Sequence, residues 1–448
     1  MEWRLPDSGA VSLSEPFRFI RHLEGEPAVI RLGAIADDFT GATDLATSLR
    51  ERGLRVAVVL GAEAVPSVEE AADLDAVIVA LKSRTAPVGE AVGSSIASIR
   101  ALEPLHPEQY FVKYCSTFDS TPTGNIGPIL DAVLDEVGES RTVVVPAFPD
   151  NGRTVFRGHL FVHDQLLDES PMRHHPLTPM NQSRLAGILA PQTARAIAEV
   201  TVDAVWQGAA ALSDALEALP RDTSYVVVDA TTNADLETIQ AATAGWRVLS
   251  GSAGLAFGMR GEHDPASQRF DVPTGRRLVV CGSASAKTRA QIADALEAGA
   301  SGHQLDIERL LGDPDAVVDD VLAWLSGLPS AALPVVYSVA SLDDVRSTAA
   351  GEAVEAALSA LVSRAVAELG VRQVIVAGGE TSGAVTTALG CRRLLIGPQI
   401  APGVCWSLSQ TSGLGTAHDG PAPTVALALK SGNFGADDLF TTAWKALS

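Results

Sequence analysis

Along this chain, apolar positions cluster in short continuous runs, at 32–36, 56–60, 76–81, 111–114 and 143–147. Between these runs lie stretches with apolar residues three and four apart, near 42–52, 88–102 and 125–137. A continuous run predicts a strand buried on both faces; the wider spacing predicts a helix packed by one face. Strand and helix in alternation predict a mostly parallel sheet with helices on both sides. The rhythm breaks at 148–183, which is rich in Pro, His, Asn and Gly. It resumes with helices near 183–198 and 207–218, a strand at 225–229, a helix from Asn233 and a strand at 247–249.

Residues 260–276 have the composition of a linker, and a second alternating series follows them. Its strands are read at 278–281, 335–339, 373–377, 393–396 and 424–429. Its helices are read near 286–298, 314–326, 351–369 and 382–389, with a last one from Ala436. No internal repeat is visible. The expected fold class is α/β, with two domains, each a mostly parallel sheet flanked by helices, and the active site in the interdomain cleft. The expected divisions are an N-terminal arm at 1–28 and domains at 29–260 and 261–448.

A length of 448 residues agrees with two cores rather than one. Apolar residues make up 46% and charged residues 19%, and no run of 18 uncharged apolar residues occurs, so no membrane partner is expected. The N-terminus lacks the basic and then apolar profile of a signal peptide, and a cytoplasmic protein is expected. The four cysteines are dispersed without a CxxC pair, as reduced thiols would be. A net charge of −21 argues against a nucleic-acid partner. An anionic substrate would then need cations gathered locally. Lysine is scarce, at positions 82, 113, 287, 430 and 445, and the first four of these fall in motif-like stretches at strand ends or turns.

The stretch at 33–44, GAIADDFTGATD, carries Asp37 and Asp38 off the end of the first strand and into a helix start, with Thr40 and Asp44 close behind. One acid would suffice to cap the helix and complement its dipole. Three acids where ligands collect in open α/β sheets mark a candidate site. Lys82 and Arg84 follow another strand end and could hold a carboxylate. Lys113, Ser116, Thr117 and Asp119 follow a third, with the hydroxyls and charges suited to a polyhydroxylated acid. In the irregular stretch, Asn151, Arg153 and Arg173 are candidate anion contacts. His159, His163, His174 and His175 match no metal spacing.

In the second half, Gly282 to Thr288 lies between strand and helix with the spacing of a P-loop, but Ala286 replaces the second glycine, so no Walker site is assigned. Small residues there still let backbone N–H groups approach phosphate. Similar turns occur at 378–383 and 430–435. Three such turns, two with a lysine, predict a nucleotide-phosphate cradle, with the 399–404 stretch as another wall or simply a turn.

Together these stretches resemble the four-carbon acid sugar kinase family. The resemblance is carried by GAIADDFTGATD at 33–44, KYCSTFDSTPTGNIG at 113–127, VPAFPDNGRTVFRGHLFV at 145–162, HPLTPM at 175–180, AGGETSGAV at 377–385, IAPGV at 400–404 and LALKSGNFG at 427–435. The 145–180 block looks most like the 3-oxo-tetronate kinase branch. The resemblance implies a sugar-acid-binding N-terminal domain, an ATP-binding C-terminal domain, and phosphorylation of a terminal hydroxyl. It implies nucleotide contacts at Ser283, Gly378 to Ser382 (Gly379, Glu380 and Thr381 between them) and Gly432. The wider candidate set from the turns adds Ser285, Lys287, Lys430 and Asn433.

In this reading one of Asp37 and Asp38 orients or deprotonates the hydroxyl, and the other, with Asp44 or Asp119, holds hydroxyls or helps to hold Mg²⁺. Lys82, Arg84 or Lys113 holds the carboxylate, and Lys287 or Lys430 meets the γ-phosphate. Mg²⁺ arrives with ATP, no dedicated metal site is expected, and domain closure excludes water. A homodimer is a further expectation. Other substrates within this reading are D-threonate, L-threonate and D-erythronate. The readings outside it are a nucleotide-dependent oxidoreductase, against which stands the lack of GxGxxG after either first strand, and a sugar-acid-binding protein without catalysis.

Overall fold

The computed structural model describes residues 30–174, 178–265, 270–339, 348–412 and 422–447. The N-terminal half begins with β1 (Leu32–Ala36), α1 (Phe39–Glu51), β2 (Val56–Leu60), β3 (Ala76–Ala80), α2 (Val88–Leu102), β4 (Gln109–Lys113), α3 (Ile126–Val137) and β5 (Thr142–Val145). The small strands β6 (Arg153–Phe156), β7 (His159–Val162) and β8 (Gln165–Leu166) follow. The half ends with α4 (Leu185–Leu189), β9 (Ala196–Val200), α5 (Val202–Val205), α6 (Ala209–Glu217), β10 (Thr223–Val228), α7 (Asn233–Ala242) and β11 (Val248–Gly251).

The C-terminal half comprises β12 (Arg276–Cys281), α8 (Ala286–Glu297), β13 (Ser301–Gln304), α9 (Ile307–Gly312), α10 (Pro314–Gly327), β14 (Pro334–Tyr337) and α11 (Thr348–Glu368). It closes with β15 (Val371–Ala377), α12 (Gly379–Ala388), β16 (Arg393–Ala401), β17 (Val404–Gln410), β18 (Thr424–Lys430) and α13 (Leu439–Thr442). The α/β class and the two mostly parallel strand series agree with the sequence reading. No described helix is long and apolar enough to cross a membrane.

The two series form one sheet. Fifteen strands are hydrogen-bonded in the order β13-β14-β12-β15-β18-β17-β16-β2-β3-β1-β4-β11-β5-β10-β9. The seam is antiparallel, with Arg393, Leu394 and Leu395 of β16 opposite Val59, Val58 and Ala57 of β2. Strand β17, buried along most of its length, was not expected. The 399–404 stretch is the end of β16 and the turn into β17, so this wall is a hairpin. Two further strands were missed. The span 183–198 was read as one helix, but α4 is short and edge strand β9 follows it. Strand β13 is the opposite edge, and its sequence Ser-Gly-His-Gln has no apolar signal. The irregular stretch holds the antiparallel sheet β6-β7-β8.

One consequence of the seam bears on the site. Because β16 meets β2 antiparallel, the parallel strands of the two halves run in opposite senses. Five steps separate β1 from β18. At roughly 20–25° of twist per step, the sheet turns through roughly 100–125° between them. Strand ends that a flat sheet would keep on opposite edges are swung towards each other.

Helix α1 spans the seam, packing on β1–β4 and also on β16, β17, β18 and α12. Leu45, Ala46 and Leu49 face this core with essentially no exposure. The hydrophobic core under α1 runs without interruption from Leu32 and Val79 to Leu394, Cys405 and Leu427. A second cluster, with Trp406, Phe440 and Trp444, covers the other face of the C-terminal strands.

Candidate active site

Strand β1 ends at Ala36, level with Ala80 of β3 and Lys113 of β4. Asp37 and Asp38 therefore leave the sheet where its neighbours also end. Asp37 is nearly buried, and Arg84 grips both of its oxygens, Nε to Oδ2 at 2.7 Å and a terminal nitrogen to Oδ1 at 2.9 Å. Burial pushes this carboxyl up, yet the Arg84 charge and hydrogen bonds outweigh it and hold the group below its ordinary range. Asp38 is the N-cap of α1. Its Oδ1 accepts the Gly41 N–H at 2.8 Å and sits 3.0 Å from Arg84. This corrects two expectations. Both Asp37 oxygens are engaged by Arg84 and Asp37 does not line the cleft described below, while Arg84 reaches that cleft already bracing two acids.

Lys113 is 3% exposed, and among the described residues its ammonium has no hydrogen-bond or ion-pair partner. It lies against the first turn of α1, where a Cβ built on Gly41 would fall 2.7 Å from Nζ and 2.3 Å from Asp38 Oδ1. Glycine at 41 lets the lysine head and the cap share that space. In the second turn of α1, Asp44 accepts no hydrogen bond from any described residue. Burial and the nearby Asp38 push its carboxyl up to about 6, against the opposing pull of Lys113 and Arg153.

These groups line a cleft of about 710 Å³, within the range typical of small-molecule sites. Its N-terminal wall holds Asp38, Thr40, Asp44, Arg84, Lys113, Ser116, Thr117, Asp119, Asn151 and Arg153. Sequence reasoning missed Cys115, Asp150 and Met172 there, and it weighed His163 only as a metal ligand. Two wall segments have backbone in the left-handed region. Phe118 has φ 51° and His163 has φ 57°, a conformation concentrated at functional sites. Phe118 is fully buried and stacks edge-on against Tyr114, with centroids 5.2 Å apart. That contact fixes the Ser116-to-Asp119 loop from below.

Two predicted substrate contacts lie elsewhere. Lys82 is exposed, with its ammonium 5.5 Å from the Phe39 ring, and it leans on α12. Arg173 is exposed and donates to the Asp168 carbonyl at 3.2 Å. The side chain of His174 and residues 175–177 lie outside the described residues.

The opposite wall is C-terminal: Ile400, Ala401, Pro402, Ser431 and Asn433 to Ala436. It is backed by three turns that start level, since Cys281, Ala377 and Lys430 are register partners in β12, β15 and β18. Ser285 caps α8 by accepting the Thr288 N–H at 3.1 Å, and it donates to the Gly432 carbonyl at 2.6 Å. A Cβ on Gly432 would lie 2.3 Å from Ser283 Oγ and 2.9 Å from Ser285 Oγ, so glycine permits this turn-to-turn contact.

Lys430 is fully buried and donates to Thr288 Oγ1 at 3.2 Å and to the Gly432 carbonyl at 3.1 Å. Burial lowers its pKa to about 8. It ties two turns together from beneath, which corrects its expected role at the γ-phosphate. Lys287 is paired with Asp437 at 2.7 Å near the surface. In α12, Thr381 and Ser382 are buried, with Ser382 Oγ bonded to the Gly378 carbonyl at 2.7 Å, while Gly379 and Glu380 are exposed at its first turn. Thr288, which joins two turns, was present in the glycine-serine motif but not singled out. Among the described residues no group of three or more His, Cys, Asp or Glu gathers as a metal site.

A family model described as a sugar-binding N-terminal domain matches residues 32–259, and one described as a nucleotide-binding C-terminal domain matches residues 278–440. The chain belongs to the four-carbon acid sugar kinase family. Among relatives in this family, the 3-oxo-tetronate kinase of Cupriavidus necator is 42% identical over 93% of this chain and 97% of its own. That of Burkholderia multivorans is 43% identical over 93% and 97%. Among solved structures, a Salmonella typhimurium LT2 protein described as a tRNA synthase superposes with a TM-score of 0.81 at 37% identity, covering 92% of this chain and 98% of that one. A Haemophilus influenzae protein superposes with a TM-score of 0.72 at 36% identity, covering 92% and 99%. The family's two-part description coincides with the two walls of the cleft.

Proposed function

We propose that this protein is an ATP-dependent kinase acting on the 4-hydroxyl of 3-oxo-tetronate, giving 3-oxo-tetronate 4-phosphate and ADP. One observation carries the reading: a single cleft joins a wall holding an unpartnered buried lysine and carboxylates to a wall backed by three level, small-residue turns. The names of the relatives supply the substrate.

Phosphoryl transfer asks a protein for positioning and charge neutralisation. Lys113 and Arg153 hold the substrate carboxylate in this reading, and Ser116, Thr117 and Asn151 bond its oxygens. The turns at Ser283 and at Ser431 to Asn433 offer N–H and hydroxyl donors to the triphosphate. Mg²⁺ enters as part of the nucleotide substrate in this reading. A cytoplasmic location follows from the need for ATP.

The test is ADP release with Mg²⁺·ATP and a panel of 3-oxo-tetronate, D- and L-threonate and D- and L-erythronate. Turnover on 3-oxo-tetronate at least tenfold above the others is the expected outcome. Turnover confined to an unoxidised acid would keep the kinase and replace the substrate. Silence on all five would overturn the reading.

A further inference from the structure

We propose that Asp44, rather than either member of the Asp37-Asp38 pair, is the catalytic base that takes the proton from the attacking hydroxyl. The inference rests on the kinase reading above and adds to it the identity of one group. A base needs a free lone pair, access to the substrate and a place near the incoming phosphoryl group.

The acids in and around the cleft can be sorted on those grounds. Asp37 has both oxygens engaged by Arg84 and does not line the cleft. Asp38 also lines the cleft, but it is committed through Oδ1 to the α1 cap and to an ion pair with Arg84, and only its Oδ2 is without a donor. Asp119 lines the cleft and likewise takes no donor, but its Oδ1 is buried out of reach of a bound molecule, as no Asp44 oxygen is. Asp150 is exposed at the rim and accepts from Asn233 Nδ2 at 2.9 Å. Asp44 lines the cleft with no donor on it.

Asp44 also occupies the right part of the cleft. It projects from α1, the helix packed on strands of both halves, into the cleft that both walls border. It thus stands between the substrate wall and the nucleotide wall. The charged or titratable groups around it are Lys113 of β4, Arg153 of β6, the cap Asp38 and the Cys405 thiol. The two cations keep the carboxylate ionised at neutral pH, while burial and Asp38 leave it basic enough to accept a proton.

In the step, the hydroxyl proton passes to an Asp44 oxygen as the O4–Pγ bond forms. The bond from Pγ to the bridging oxygen of ADP breaks, and that oxygen leaves with the electron pair. Asp44 then returns its proton to water after product release.

The experiment compares wild type with D44N, using kinetics and thermal shift. Wild-type turnover on a four-carbon acid tests the underlying reading first; if it is absent for every acid, that reading falls and this inference with it. Given wild-type turnover, D44N should lose about 10³-fold in kcat. Its KM for Mg²⁺·ATP and for the acid should stay within about threefold, and its thermal stabilisation by Mg²⁺·ATP should persist.

The wild-type kcat should fall on acidification below about pH 6, and the residual D44N rate should lack that limb. D44S carries the same expectations should D44N not fold. D44N or D44S turnover within tenfold of wild type, or an unchanged acid limb in the residual rate, would overturn the assignment.

Discussion

Gly41 shows how little room this site leaves. A methyl group there would meet the cap oxygen of Asp38 and the head of Lys113 at 2.3 and 2.7 Å. G41A is expected to displace both, lowering kcat/KM by about 100-fold while the folded core survives, as steady-state kinetics beside a thermal melt will register.

The Asp37–Arg84 pair behaves differently. D37N leaves a mostly buried guanidinium short of its carboxylate and should cost about 3 kcal/mol in urea unfolding at pH 7. The Asp37 carboxyl titrates below its unfolded value, so its stabilisation is present above about pH 4 and fades as pH falls through the folded pKa. The gap between D37N and wild type should close in acid.

Asp44 has the opposite sign. A carboxyl raised from 3.8 to about 6 holds its proton longer in the folded state, so stability declines as pH rises through that window. D44N should therefore be more stable than wild type at pH 7.5, by about 1–2 kcal/mol, once partial solvent access is allowed for. A Tm equal to or below that of wild type would speak against the buried, charged Asp44 described here.

Turns and strands divide by how local their causes are. The continuous apolar runs of β1, β3, β5 and β15 were legible because a strand buried on both faces needs apolar residues throughout. The cap at Asp38 and the small-residue turns were legible for the same reason: neighbours in sequence set them. The seam was not. Strand β17 is pinned by partners on both sides, 20 and more residues away in parts, and its alternating serines gave no clear run.

The lysines make the same point in side chains. A sequence shows where Lys113, Lys287 and Lys430 leave the backbone. It does not show that Asp437 meets the second, or that the third turns under Gly432. That buried tie makes the turn at 430–435 depend on the one at 283–288. G432A, forced against Ser283 and Ser285, should raise the KM for ATP at least tenfold while leaving the KM for the acid within about twofold, and product-release assays with each substrate varied will separate the two.

Across the whole molecule, the joined sheet and the uninterrupted core beneath α1 make the two family-model regions poor candidates for independent units. Thermal unfolding of the intact chain should show one cooperative transition, with calorimetric and van't Hoff enthalpies in agreement, and not two. Residues 30–265 expressed alone would bare the β2 edge and the underside of α1, and should aggregate. Two resolved transitions, or a soluble and monomeric N-terminal half, would contradict this.

The antiparallel seam also bears on inheritance. In a molecule built as beads on a string, a substrate-recognising part can be exchanged for a cousin's by recombination at the linker. Here three residue pairs between β2 and β16, and the contacts of α1 beyond them, must match before a chimera has a finished sheet. New specificities in such a scaffold are more readily reached by drift in the loops around the cleft than by trading halves, and the two parts are expected to travel through descent as one gene.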